Sequence, residues 1–93
     1  MRVVLRPQAE VDLAEAQRWY EAERLELGDR FRRTVFTVID QIERFPESAP
    51  KVHSDVRRAV LPSFPYSVFY VVDGSHIVVL RVLHSASNPG DWP

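Results

Sequence analysis

Between Pro46 and Pro50 the hydrophobic period of this chain changes, and that change constrains its fold more than any other feature. Before it, Phe31, Val35, Val38, Ile39, Ile42 and Phe45 keep helical spacing and so share one stripe of a helix that Pro46 stops. After it, KVHSDVRRAVLP, YSVFYVV and HIVVLRVLH alternate with a period of two and read as three strands. The last two are joined by Asp73-Gly74, a strong hairpin signal.

The N-terminal part adds two elements. Residues 2–6, RVVLR, are too short for a helix and rich in branched side chains, so they read as a strand. Pro7 suits the first turn of a helix, where its missing N–H costs nothing, and Glu10 and Asp12 lie near the positive end of the dipole. The steps between Ala9, Leu13, Ala16 and Tyr20 give this helix, from about Pro7 to Glu23, one buried face. Gly28 is expected to break the chain and Asp29 to cap the next helix. Two helices joined by a short turn form a hairpin.

The expected fold is therefore α+β, in the order β-α-α-β-β-β. An N-terminal strand and a helical hairpin pack on an antiparallel sheet of three to four strands. At 93 residues the chain, 1–93, is expected to form a single domain. One feature does not fit a two-layer fold: in the last strand Ile77, Val79 and Leu83 alternate with Val78, Leu80 and Val82, so both faces are apolar. Two helices cover one face, and the surface left over implies a partner.

Composition excludes several classes of function. The formal net charge is −1, and arginine outnumbers lysine eleven to one with the acids interleaved. A strong nucleic-acid binder would show a basic excess, so no direct DNA binding by the chain alone is expected. There is no cysteine, and the three histidines have no ligand-like spacing. Neither a metal nor another cofactor is expected. MRVVLRPQAE meets charge and proline after three apolar residues, which fits neither a signal peptide nor a membrane span. A cytoplasmic location without a membrane partner follows.

The candidate functional groups lie in the second half of the chain. Arg57 and Arg58, adjacent on one strand, point to opposite faces, so a solvated strand edge is the plain reading. Arg81 stands among apolar neighbours and needs an acceptor: it is either paired with an acidic residue of the helices or lines a functional groove. His84 could transfer protons near neutral pH, or be a polar strand end bonded to backbone. Strict alternation puts Arg81 and His84 on opposite faces unless the strand bends between them. Lys51 and His53 lie where the sheet begins, and His53 and His76 read as surface residues. One of Trp19 and Tyr20 should face the core and the other its rim, while Trp92 would cover a bare edge or anchor a protein partner.

The strings AEVDLAEAQRWYE, LGDRF, IERFPESAPKV, RRAVLPSFPYSVFYVV and VLRVLHSASNPGDWP, in this order, resemble the RelE/ParE superfamily of type II toxin-antitoxin toxins. The resemblance covers essentially the whole chain and implies a helical hairpin on an antiparallel sheet. It also implies a role in plasmid stabilisation and a cognate antitoxin whose C-terminal segment wraps the toxin, which would use the spare apolar surface.

RelE-like members are ribosome-dependent mRNA endoribonucleases that work with arginine and lysine side chains and a tyrosine or histidine near the C-terminus. One such arginine follows the tyrosine that opens the penultimate strand, where this chain has Ser67 after Tyr66. Another lies just after the last strand, where it has Ser85, Ala86 and Ser87. Without those guanidinium groups the charge of a cleavage transition state goes uncompensated. Arg58, Arg81 and His84 are what a nuclease would have left.

ParE-like members poison DNA gyrase by protein contact without catalytic residues. They resemble this chain more in the paired arginines before FPY and in the His-to-Trp tail, although HSASNP stands where the family often has an HxRRxP-like run. The reading is thus a ParE-like inhibitor rather than an enzyme, contacting target or antitoxin through Arg57, Arg58, Arg81, His84 and Trp92. The alternatives are the nuclease and a non-toxic remnant that still binds an antitoxin.

Overall fold

In the computed structural model, which describes residues 1–87, Pro7 opens helix α1 (Pro7–Glu23) directly after the extended residue Arg6. Ala9, Leu13 and Ala16 are buried, as their spacing requires. The helix ends at Arg24, whose extended backbone (φ −155°, ψ 139°) is the whole link to α2 (Leu25–Arg44).

The break therefore falls four residues before Gly28, which lies inside α2. Gly28 serves a close approach instead. A Cβ there would sit 2.2 Å from Glu21 Cγ and 2.9 Å from the Gln17 carbonyl oxygen. The Glu21 side chain can move aside, but the backbone carbonyl cannot move unless the helices part. Asp29 is no cap; it pairs with Arg33 one turn on, at 3.1 Å. Gly28→Ala is expected to destabilise the chain by about 1–2 kcal/mol net, the cost of overpacking exceeding the roughly 1 kcal/mol gained in helix propensity. Chemical denaturation of the two proteins measures it.

On α2, Phe31, Val35, Val38, Ile39 and Ile42 are buried, while Phe45 at the C-cap is exposed. The chain then enters a sheet of five strands, more than the three to four expected. They are β1 (Arg2–Leu5), β2 (Lys51–His53), β3 (Val56–Val60), β4 (Tyr66–Asp73) and β5 (His76–His84), in the order β1-β5-β4-β3-β2. The extra strand arises because KVHSDVRRAVLP is a small hairpin rather than one strand. Ser54 takes a left-handed conformation (φ 50°), and His53 pairs with Val56 across the turn. Pairing is antiparallel except that β1 runs parallel to β5, which makes the sheet mixed. Asp73 pairs with His76, so the hairpin loop is Gly74-Ser75 and Gly74 supplies the positive φ of 59°.

The main core lies between the helices and one face of the sheet, where Phe31, Val35, Val68, Tyr70, Ile77 and Val79 are fully buried. Tyr70 donates its hydroxyl to the Pro46 carbonyl at 2.7 Å, fixing the segment where the period changes. A second, smaller cluster of Val56, Phe69 and Leu80 is joined by Val71, Val78 and Leu83 and contains no helix residue. No helix of the described residues is long and apolar enough to cross a membrane.

Candidate functional site

The site begins with a break in alternation on β5. Phe69 of β4 pairs with Arg81 and Tyr70 with Val79, which leaves Leu80 as the extra residue of a β-bulge. The bulge exchanges the faces beyond it. Val82 joins Ile77 and Val79 in the main core, and Leu83 joins Val78 and Leu80 in the second cluster. Strict alternation had predicted the reverse, with Arg81 and His84 kept apart. In the structure both line one groove.

That groove opens where β1 ends. β1 pairs with β5 only as far as Val79, whose carbonyl accepts the Arg6 N–H at 3.0 Å, and Pro7 then turns the chain into α1. Past that point α1 takes over the edge of β5 through Asp12. One carboxylate oxygen of Asp12 accepts the Val82 N–H at 3.0 Å and Arg81 Nε at 2.7 Å, and the other accepts an Arg81 terminal nitrogen at 3.1 Å. The pair is bidentate, and the Asp12 side chain is only 8% exposed. Its hydrogen bonds to Asp12 hold the Arg81 guanidinium above its ordinary pKa. Of the two alternatives posed for Arg81, the structure shows the pairing with a helix acid, and the pair lies in the wall of a groove.

Beside this pair the groove, of about 620 Å³, is lined by Glu15, Ala16, Trp19 and Tyr20 of α1, by Pro65 and Tyr66, and by Val82 to His84. Its floor is aromatic. Tyr20 stacks on Phe31 at 5.2 Å and meets Phe64 and Tyr66 edge-on, and the Tyr66 ring lies 5.2 Å from that of His84. Trp19 stands at the rim, 61% exposed, with its ring 5.0 Å from Tyr20. His84 Nδ1 accepts the Ala86 N–H at 3.0 Å, so in the neutral ring the proton sits on Nε2.

Burial raises the pKa of Tyr20, with Tyr66 adding to it, and likewise that of Tyr66. Burial also raises Tyr70, against the opposing charge of Arg57. These are the three tyrosines of the chain. Each folded value is above the unfolded 10.0, so the folded state holds these protons more tightly. The associated stability is complete below pH 10 and is lost as pH rises through the raised values. Phenolate absorbance should therefore lag behind that of free tyrosine above pH 10 and then rise together with loss of the near-ultraviolet dichroism.

Of the remaining candidates, Arg57 and Arg58 lie on opposite faces as read from the sequence but differ from it in exposure. Neither Arg57 nor Arg58 is a solvated edge residue, because β2 covers β3 and both are half-buried. Arg57 donates to the Glu47 and Ala49 carbonyls at 2.9 and 2.7 Å and so ties down the loop before β2. Arg58 donates Nε to Ser67 Oγ at 3.0 Å on the far face of the sheet. Lys51 pairs with Asp55 at 3.4 Å, and His53 and His76 are exposed. Trp92 lies outside the described residues. Among the described residues no group of three or more histidine, aspartate or glutamate side chains is placed to hold a metal.

Asp12 and Glu15 are the groove residues that the sequence reading missed as site residues. The signal was present: Asp12, Glu15 and Trp19 recur at helical spacing beside the buried stripe.

These elements define a two-layer α+β protein with an aromatic and charged groove between its first helix and its last strand. The chain belongs to the family of the ParE toxin of the type II toxin-antitoxin system, parDE, whose sequence model matches residues 3–89. Among solved structures it is similar to a chain of the chromosomal ParDE TA system from P. aeruginosa, with a TM-score of 0.67 and 21% identity over 90% of this chain and 95% of that one. At that identity the likeness speaks for the fold alone. No curated protein matches.

Proposed function

We propose that the chain is a ParE-like toxin that inhibits DNA gyrase by protein contact, and that a cognate antitoxin silences it by occupying the groove between α1 and β5. The observation that carries the reading is the groove itself. It joins an exposed tryptophan, an aromatic floor and a strand edge not covered by β1, the kind of surface at which protein partners concentrate their binding energy. The P. aeruginosa structure is named for a chromosomal ParDE TA system, which supports an antitoxin partner here too. Arg81 and His84 are its proposed contacts within the groove; Arg57, Arg58 and Trp92 remain proposals from the sequence.

The state of Arg81 weighs against the ribonuclease alternative. Its guanidinium is committed to Asp12 on two bonds, so it is not free to compensate a developing phosphate charge. The purified chain, added to gyrase with relaxed plasmid and ATP, should abolish supercoiling and leave ribosome-bound mRNA uncut. Unimpaired supercoiling together with cut mRNA would establish the nuclease instead, and inactivity in both assays with antitoxin binding would leave the non-toxic remnant.

A further inference from the structure

The groove between α1 and β5 carries a negative charge that its own residues leave uncompensated. Arg81 neutralises Asp12 there through two hydrogen bonds. Glu15, about one turn further along α1, lines the same groove, is exposed, and among the described residues has no ion pair or side-chain hydrogen bond. Arg18, the one basic residue of α1, is exposed and makes no pair with it. Residues 88–93, NPGDWP, contain no basic side chain, so the missing cation does not come from there.

The surroundings of Glu15 select the kind of cation. Trp19 follows it by four residues and so stands beside it on the same face of the helix, 61% exposed. Tyr20 and Tyr66 continue the aromatic wall. The face of an aromatic ring attracts a cation, most strongly on tryptophan, and a neighbouring carboxylate adds charge-assisted hydrogen bonds. A guanidinium uses both at once: it is flat enough to lie on the ring and presents paired N–H groups at its edge, which a compact ammonium lacks. Arg81 already holds Asp12 in this two-pronged manner in the same groove. The charge that attracts a cation repels phosphate, so the carrier is a protein rather than a nucleic acid.

We propose that the groove takes an arginine side chain of the antitoxin segment, with its guanidinium on the Trp19 ring and its N–H groups on the Glu15 carboxylate. This rests on the reading of the groove as the seat of the antitoxin and adds the chemistry by which the partner is recognised there.

The test uses the isotopically labelled full chain, with binding followed by amide chemical shifts. The probes are a capped nonapeptide of leucine, alanine and serine with one central arginine, the same peptide with citrulline, which is neutral and nearly the same shape, and arginine amide alone. The arginine peptide should shift Glu15, Trp19, Tyr66 and His84, and bind about five- to tenfold more tightly than the citrulline peptide. Glu15→Gln and Trp19→Leu, both at exposed positions, should each reduce that ratio while leaving the melting temperature nearly unchanged. Equal binding of the two peptides in the groove would overturn the arginine assignment and leave the groove as a protein contact. Shifts that avoid the groove with either peptide would overturn both, and arginine amide binding as tightly as the peptide would make the groove a small-molecule site instead.

Discussion

Arg81→Ala is expected to lower the stability of the isolated chain by about 2–4 kcal/mol, in the upper part of the range for single substitutions. The reason lies with the partner left behind. Asp12 would keep the Val82 N–H but lose both guanidinium bonds while its side chain stays 8% exposed, a poorly solvated negative charge. The loss stays below the roughly 3–5 kcal/mol of a fully buried pair because Arg81 itself is 23% exposed. In a domain of this size it corresponds to roughly 10–25 °C in melting temperature.

Arg81→Lys keeps the charge but not the two-pronged geometry, and should recover only part of the loss. Arg81→Ala combined with Asp12→Ala should cost less than the sum of the two single changes, because neither partner is then stranded. Calorimetry on the four proteins reads the coupling directly. Additive losses would mean that the pair is solvated and does not fix α1 to the edge of β5.

Phe31→Ala should have the largest effect, about 3–5 kcal/mol, because the side chain is fully buried and its loss leaves a cavity. Phe31 is the point where α2 meets the groove floor, with Tyr20, Phe64 and Tyr66 all within 5.3 Å between ring centroids. The consequence therefore reaches beyond stability. The stacked contact that holds Tyr20 and the edge-on contact that holds Tyr66 would be lost, and the late ionisation of both tyrosines should move back toward pH 10 as water enters. Phe31→Leu fills most of the space and should cost less than half as much. Denaturation midpoints together with the phenolate titration separate the loss of packing from the change at the groove.

Much of the architecture was legible because local pattern and tertiary need agreed. The stripes Ala9-Leu13-Ala16 and Phe31-Val35-Val38-Ile42 are buried as their spacing dictates, and Pro7 and Pro46 sit at the element boundaries. The misread positions are those where tertiary contacts outweigh local propensity. Gly28 looks like a helix end but answers the Gln17 carbonyl of the opposing helix. Ser54 carries no strong turn signature, yet it closes a hairpin that adds a fifth strand.

The site was legible in its residue types and not in its geometry. Arg81 announced itself as an arginine among apolar neighbours, and the need for an acid from the helices followed. Which acid it was depended on where β1 stops pairing with β5, because Asp12 of α1 takes over the strand edge there and accepts the Val82 N–H beside Arg81. Asp12 looked like a helix-dipole residue because its partner is 69 positions away in sequence. The pairing of β1 with β5, which brings α1 to the strand edge, is equally remote from any local pattern.

The most direct test of the function is tightly controlled expression in growing bacteria, with incorporation of labelled thymidine and labelled amino acids followed from the moment of induction. Inhibition of gyrase requires DNA synthesis to fall first, with a DNA-damage response, while protein synthesis continues. An early halt in amino-acid incorporation with cut mRNA, or growth that continues undisturbed, would contradict it.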